Sequence, residues 1–100
     1  QDLNQSGQKW GEIISCRTLA LLAAAESHPN WNQVESYMGR SIKLAKEREA
    51  HPELVVSLFR YADLLGQKGD KNRAESYWKQ ARDLGIRIDR KIFNRPDYSA

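Results

Sequence analysis

Apolar positions recur three and four residues apart through most of the chain, and no stretch alternates with period two. The pattern predicts helices and no sheet. The first is expected from about Lys9 to Ser27. Trp10, Ile14, Leu21, Leu22 and Ala25 fall on one of its faces, and Ile13, Cys16, Leu19 and Ala23 make a second face apolar. Such a helix is expected to be covered on both sides. His28-Pro29 stops it, because the residue before proline avoids the helical region. A second helix is expected over Trp31 to Glu49, with Asn30 as cap, Gln33 completing a capping box, and Val34, Met38, Ser41 and Ala45 as its stripe.

The third helix takes Pro52 in its first turn, where a missing N–H costs nothing. Val55, Leu58, Ala62 and Leu65 form its stripe. Gly69 suits a left-handed C-cap and Asp70 caps the next helix. The fourth is expected over Lys71 to Leu84, with Ala74, Trp78, Ala81 and Leu84 inward, and Gly85 ends it. A short fifth helix near Asp89 to Asn94 lays Ile88, Ile92 and Phe93 over the end of the stack. Residues 1–6 and 96–100 are expected to be loose ends.

Overlaying the first pair of helices on the second gives a constant offset of 40 residues. Thr18 falls on Leu58, Leu22 on Ala62 and Ala25 on Leu65; Val34 falls on Ala74, Met38 on Trp78, Ser41 on Ala81 and Leu44 on Leu84. Two helix-turn-helix units in register predict an all-α solenoid, an α-α superhelix of two antiparallel hairpins (8–49 and 52–85) plus a short C-terminal capping helix (87–95). Ala62 and Ala74 are expected where the two helices of a hairpin cross, and Ala81 where a next hairpin approaches. Trp78 is expected to fill the space between, so that Trp78→Ala costs about 3–5 kcal/mol.

The second unit resembles a tetratricopeptide repeat through Leu58, Tyr61-Ala62, Leu65, Ala74-x3-Trp78, Ala81 and Leu84, with the turn at Gly69-Asp70. Ile86 stands where that family often has proline, and the offset of 40 exceeds the family's usual ~34 residues. The resemblance implies a non-catalytic protein–protein interaction module whose groove is lined by the first helix of each hairpin. By position these are Cys16, Leu19, Ala23 and Glu26 from the first unit, and Val56, Phe59, Arg60, Asp63 and Gln67 from the second. The face is mainly apolar, and Arg60 is its one base. That argues against a carboxylate clamp and for a partner protein offering an apolar helix or an extended apolar peptide. The alternative is a structural or self-association segment of a larger helical-repeat regulator, with a homodimer covering the same residues. A weaker resemblance to pentatricopeptide repeats rests on Gly69-x4-Ala74, Gly85, Asp89 and Phe93-Asn94, and implies single-stranded RNA. The base-reading positions hold Arg60 and Ala20 instead of small polar residues, which speaks against RNA.

Composition narrows the picture. One hundred residues, 40% hydrophobic and 29% charged, make one small domain. Sixteen Lys and Arg against 13 Asp and Glu leave +3. The excess is concentrated at Arg87, Arg90, Lys91 and Arg95, a solvated end or a surface for acid or phosphate. The mean hydropathy of −0.75 predicts no membrane span, and the longest uncharged apolar run, Thr18 to Ala25, is far short of the ~20 residues a spanning helix needs. A single cysteine excludes an internal disulfide framework and a cysteine-rich zinc module. It fits a reducing, cytoplasmic setting. The chain opens on Gln1, so it reads as a processed product or a piece of a longer one, and no signal peptide is visible. His28 and His51 both precede proline in separate turns, and neither pairs with Cys16 at a catalytic or ligand spacing. No enzyme chemistry, cofactor, metal or small-molecule substrate is implied.

Overall fold

The computed structural model describes the backbone of residues 2–92 and the side chains of residues 10–87. Among the described residues the chain forms four α-helices and no strand: α1 (Asp2–Ala24), α2 (Trp31–Glu47), α3 (His51–Lys68) and α4 (Lys71–Ile92). Caps set the boundaries. Gln33 N–H donates to Asn30 Oδ1 (3.3 Å) at the start of α2, and Arg73 N–H donates to Asp70 Oδ1 (3.3 Å) at the start of α4. Pro52 sits in the first turn of α3, and Gly69 ends that helix at φ 101°, in the left-handed region that glycine enters without strain. The end of α2 uses the same turn with a costlier residue: Glu49 takes φ 52° while Ala50 N–H bonds back to Ala45 C=O at 2.9 Å.

Three boundaries differ from the sequence expectation. Helix α1 starts at Asp2, so residues 2–6 are helical rather than loose. No proline lies before Pro29, and extending a formed helix is far easier than nucleating one. It also ends early, at Ala24, where Ala25 N–H is shared between the Leu21 and Leu22 carbonyls and the chain tightens toward Pro29. Gly85 does not end α4. A glycine inside a helix costs only ~1 kcal/mol, and a Cβ at position 85 would lie 3.8 Å from Val55 Cγ1, so the position packs against α3. The expected capping helix over 87–95 is therefore a continuation of α4 as far as Ile92; residues 93–95 lie outside the described residues, as does the expected loose end at 96–100.

Contacts fix how the helices lie. Val55 meets Gly85, and Tyr61 meets Tyr77 with ring centroids 4.6 Å apart, so α3 and α4 form an antiparallel hairpin. Ser41 Oγ donates to Ile13 C=O (2.8 Å), tying α2 back onto α1. Helix α3 then lies against both: Ser41 and Ser57 hydroxyls are 2.8 Å apart, and Arg17 on α1 reaches Ser57 Oγ (3.2 Å) and Glu53 Oε1 (2.9 Å) on α3. Gln67 Nε2 donates to Ala24 C=O (3.1 Å) further along, so α1 and α3 run parallel. The core sits between α1, α2 and α3, with Ile13, Val34, Met38 and Leu65 fully buried in it. At that junction Ser41 and Ser57 are fully buried and hydrogen-bonded, as buried hydroxyls need to be.

The inward face of α1 is Ile13, Cys16, Ala20 and Ala24. Only one side of the helix is covered. Trp10, Ile14, Leu19, Leu22 and Ala25 are exposed, Leu22 by 63%. The bonds from Ser41 to Ile13 and from Arg17 to Glu53 set this rotation. Thr18, Leu22 and Ala25, expected to match the buried Leu58, Ala62 and Leu65, therefore face solvent. The offset of 40 holds for the second helices alone. Ser41 and Ala81 are both fully buried, and Tyr37 with Tyr77 and Leu44 with Leu84 are both half-buried against the core.

Candidate binding edge

Of the nine residues expected in a groove, the five from α3 stay together. Val56, Arg60, Asp63 and Gln67 are exposed on one stripe, and Phe59 lies half-buried along its edge. The four from α1 do not join them. Cys16 is buried and Ala23 half-buried, both turned into the packing. Leu19 is exposed but stands two turns after Glu12 on one helix column, the side where Glu12 pairs with Arg40 of α2 and Arg48 just past its end. Glu26 lies beyond the end of α1. The rotation of α1 that buries Cys16 breaks the expected nine-residue groove. Ile14, one turn before Arg17, is the exposed apolar residue of α1 nearest the α3 side.

Besides the outward face of α1, exposed apolar surface lies on α4. Helix α2 buries Val34, Met38, Ile42 and Ala45, and its Glu35 is bonded to Tyr61 and Lys68 of α3. The matching positions forty residues on are Ala74, Glu75, Trp78, Arg82 and Gly85; Ala74 and Gly85 are half-buried, Gly85 beside Val55 of α3, while Glu75, Trp78 and Arg82 are exposed. Trp78 is 44% exposed, against 0% for Met38. Its ring is held by Arg82, whose guanidinium carbon lies 4.9 Å above the ring centroid. Trp78 is thus not the interior filler its position in the repeat suggested. A shallow hollow of about 340 Å³ opens beside it, lined by Ala62, Asp63, Ala74, Glu75 and Trp78. Ala62 is buried and Ala74 half-buried on its walls. Val56 and Ile86 add exposed apolar surface to the same half of the molecule. The sequence carried a signal for this edge that residue size alone hid: Ile42 becomes Arg82, and a position that buries isoleucine in one unit holds a charge in the next.

Charge separates the two surfaces further. Glu35, on the covered face, accepts from Tyr61 Oη (2.7 Å), Lys68 Nζ (2.6 Å) and Arg73 Nη2 (2.9 Å). Partial burial pushes its carboxyl upward, but the hydrogen bonds from Lys68, Tyr61 and Arg73 outweigh that and hold it down at about 2. Burial and the neighbouring Glu35 carboxylate raise Tyr61, and the bond to Glu35 raises Arg73. Glu75, the matching residue on α4, is exposed and makes no ion pair among the described residues.

A second opening separates α2 from α4, which have no Cα atoms within 8 Å of each other. It holds about 470 Å³ over Tyr61 and Tyr77, between Ile42, Lys43 and Lys46. Its lining mixes Lys43 and Lys46 with Glu47. No helix among the described residues is long and apolar enough to cross a membrane. No family model, curated protein or solved structure matches the chain.

Proposed function

We propose that this chain is a helical-hairpin interaction module of the tetratricopeptide-like solenoid type, working by association with another polypeptide and not by catalysis. Its working surface is the open edge of the second hairpin: Trp78, Ala74, Glu75 and Arg82 of α4 with the Val56–Asp63 stripe of α3. One observation carries the reading. Glu35, Met38 and Ile42, covered in the first unit, recur forty residues later on α4 as Glu75, Trp78 and Arg82, and there they are exposed. Repeat modules bury such a face against the next helix, and an end left open takes a helix from elsewhere. The groove that the family resemblance implied across α1 and α3 is reduced to its α3 half.

A graft tests this. Arg87 occupies the position of Glu47, so a second copy of residues 48–92 joined after Arg87 places a duplicate of α3 where α4 is open. The expected result is one cooperative transition at a higher melting temperature than the parent chain, as added repeats give when their interface forms. Two separate transitions, or a melting temperature that does not rise, would show that the edge does not receive a helix.

A further inference from the structure

We infer that the open edge is closed by a second copy of this chain, with two α4 helices packed antiparallel about a two-fold axis at Trp78. The inference rests on the reading of that edge as a docking surface and names its occupant. Glu75, Trp78 and Arg82 follow one another at spacings of three and four, so they form a single stripe on α4. Glu75 and Arg82 lie at equal distances on either side of a point just after Trp78. That is 3.5 residues each way, or roughly 5 Å along the axis. An antiparallel copy centred there brings Glu75 opposite Arg82 of the second copy, and Arg82 opposite its Glu75. Both ion pairs form at once because the operation is its own inverse, which is what an isologous contact requires. Trp78 of each copy meets Trp78 of the other at the axis, and the hollow beside it, walled by the small Ala62 and Ala74, faces Arg82 of the other copy. A single aromatic anchor, desolvated at the centre and ringed by charge, is the composition of an interface hot spot.

Other occupants fit less well. In a head-to-tail stack, the exposed face of α1 (Ser15, Thr18, Leu22) would cover α4. That face offers no cation to Glu75 and no anion to Arg82. It would also propagate into open assemblies. An acidic partner would meet Glu75 and Asp63 at the centre of the edge, and a basic one would meet Arg82.

Sedimentation equilibrium of the full chain, with charge reversals, decides the matter. The chain should sediment as a dimer that dissociates on dilution. Glu75→Arg or Arg82→Glu alone sets like charges against each other at two symmetric places, and should weaken the dimer by about tenfold or more. Glu75→Arg combined with Arg82→Glu should restore it. Both positions are exposed, and circular dichroism checks that each variant keeps its helices. The inference is overturned if the chain is monomeric at every concentration, if the single reversals leave the dimer unchanged, if the double reversal fails to restore it, or if larger open-ended assemblies form. A monomer whose grafted third hairpin still folds on would leave the docking edge standing with a different occupant. Failure of both would remove the docking edge itself.

Discussion

The seam between α2 and α3 and the outer face of α4 are built from matching positions, yet one is closed and the other open. On the seam, Met38 is fully buried, Glu35 is held by three donors, and Ser41 bridges α1 and α3. On the outer face Trp78 lies under a guanidinium at the surface and Glu75 is unpaired among the described residues, while Ala81, at the position of Ser41, is fully buried. The difference teaches that residue type at a repeat position does not fix burial. What fixes it is whether a following helix exists to cover the position.

The largest expected effect tests that statement directly. Met38→Ala empties a fully enclosed site at the centre of the seam, and should cost about 2–5 kcal/mol. Trp78→Ala, at the matching position, removes a larger side chain from a half-open one. Measured where the chain is monomeric, it should cost only about 1–2 kcal/mol, well under a full core aromatic. Urea midpoints with unchanged slopes provide the comparison. If Trp78→Ala costs as much as Met38→Ala, the two faces are equally buried in solution and the contrast is lost.

Acid should open the seam next. Glu35 has its folded-state carboxyl held at about 2, below the unfolded value near 4.5. A depressed carboxylate contributes stability that is fully present above the unfolded value and is lost as pH falls toward the folded one. Between about pH 5 and pH 2 this group should remove on the order of 2–3 kcal/mol. Glu35→Gln should lower stability at pH 7 and flatten this acid limb. Glu75→Gln, on the open face and measured where the chain is monomeric, should change neither. A Glu35→Gln variant whose acid limb matches that of the parent chain would mean the network contributes nothing.

A third change reaches the buried hydroxyls. Ser41→Ala removes one hydrogen bond from Ile13 C=O and one from Ser57 Oγ, which Arg17 still reaches, at a cost of about 1 kcal/mol. Ser41→Ala makes the first unit's residue identical to Ala81 of the second, where alanine is fully buried. Neutral replacement at position 41 would show that the seam is held by shape alone.

Much of this was legible in the residues, for physical reasons that can be named. Asn30, Pro52, Gly69 and Asp70 act through their own backbone neighbours, so local sequence was enough to place the turns. The face of α2 was legible because Val34, Met38, Ser41 and Ala45 repeat at helical spacing with polar residues between. The rotation of α1 was not, because Trp10, Ile14, Leu19 and Leu22 make that helix apolar nearly all round. Its inward face was decided by Arg17 meeting Glu53 and Ser41 meeting Ile13, contacts between residues 28 and 36 positions apart. The same long-range contacts dispersed the expected groove. Gly85 misled for a different reason: a glycine can stop a helix only when something beyond it favours stopping, and no proline follows until Pro96.

The smallest effect concerns the two matching helix ends. Helices α2 and α3 close with the same pair of back-bonds, Ala50 N–H to Ala45 C=O and Glu49 N–H to Lys46 C=O in one, Asp70 N–H to Leu65 C=O and Gly69 N–H to Gly66 C=O in the other. One places glycine in the left-handed position; the other places Glu49 there, at φ 52°. A side chain in that region costs roughly 1–2 kcal/mol, which glycine avoids. Glycine returns part of that gain through the greater freedom it gives the unfolded chain, roughly 0.5–1 kcal/mol. Glu49 is exposed and makes no ion pair among the described residues, so its side chain offers little to set against the strain. Glu49→Gly should therefore stabilise the chain by about 0.5–1 kcal/mol, and Gly69→Ala should destabilise it by about 1 kcal/mol. Opposite signs from the two substitutions, read as shifts in the urea midpoint, are what equal turns with unequal residues require. A loss of stability on Glu49→Gly would mean that position 49 is held by more than its backbone.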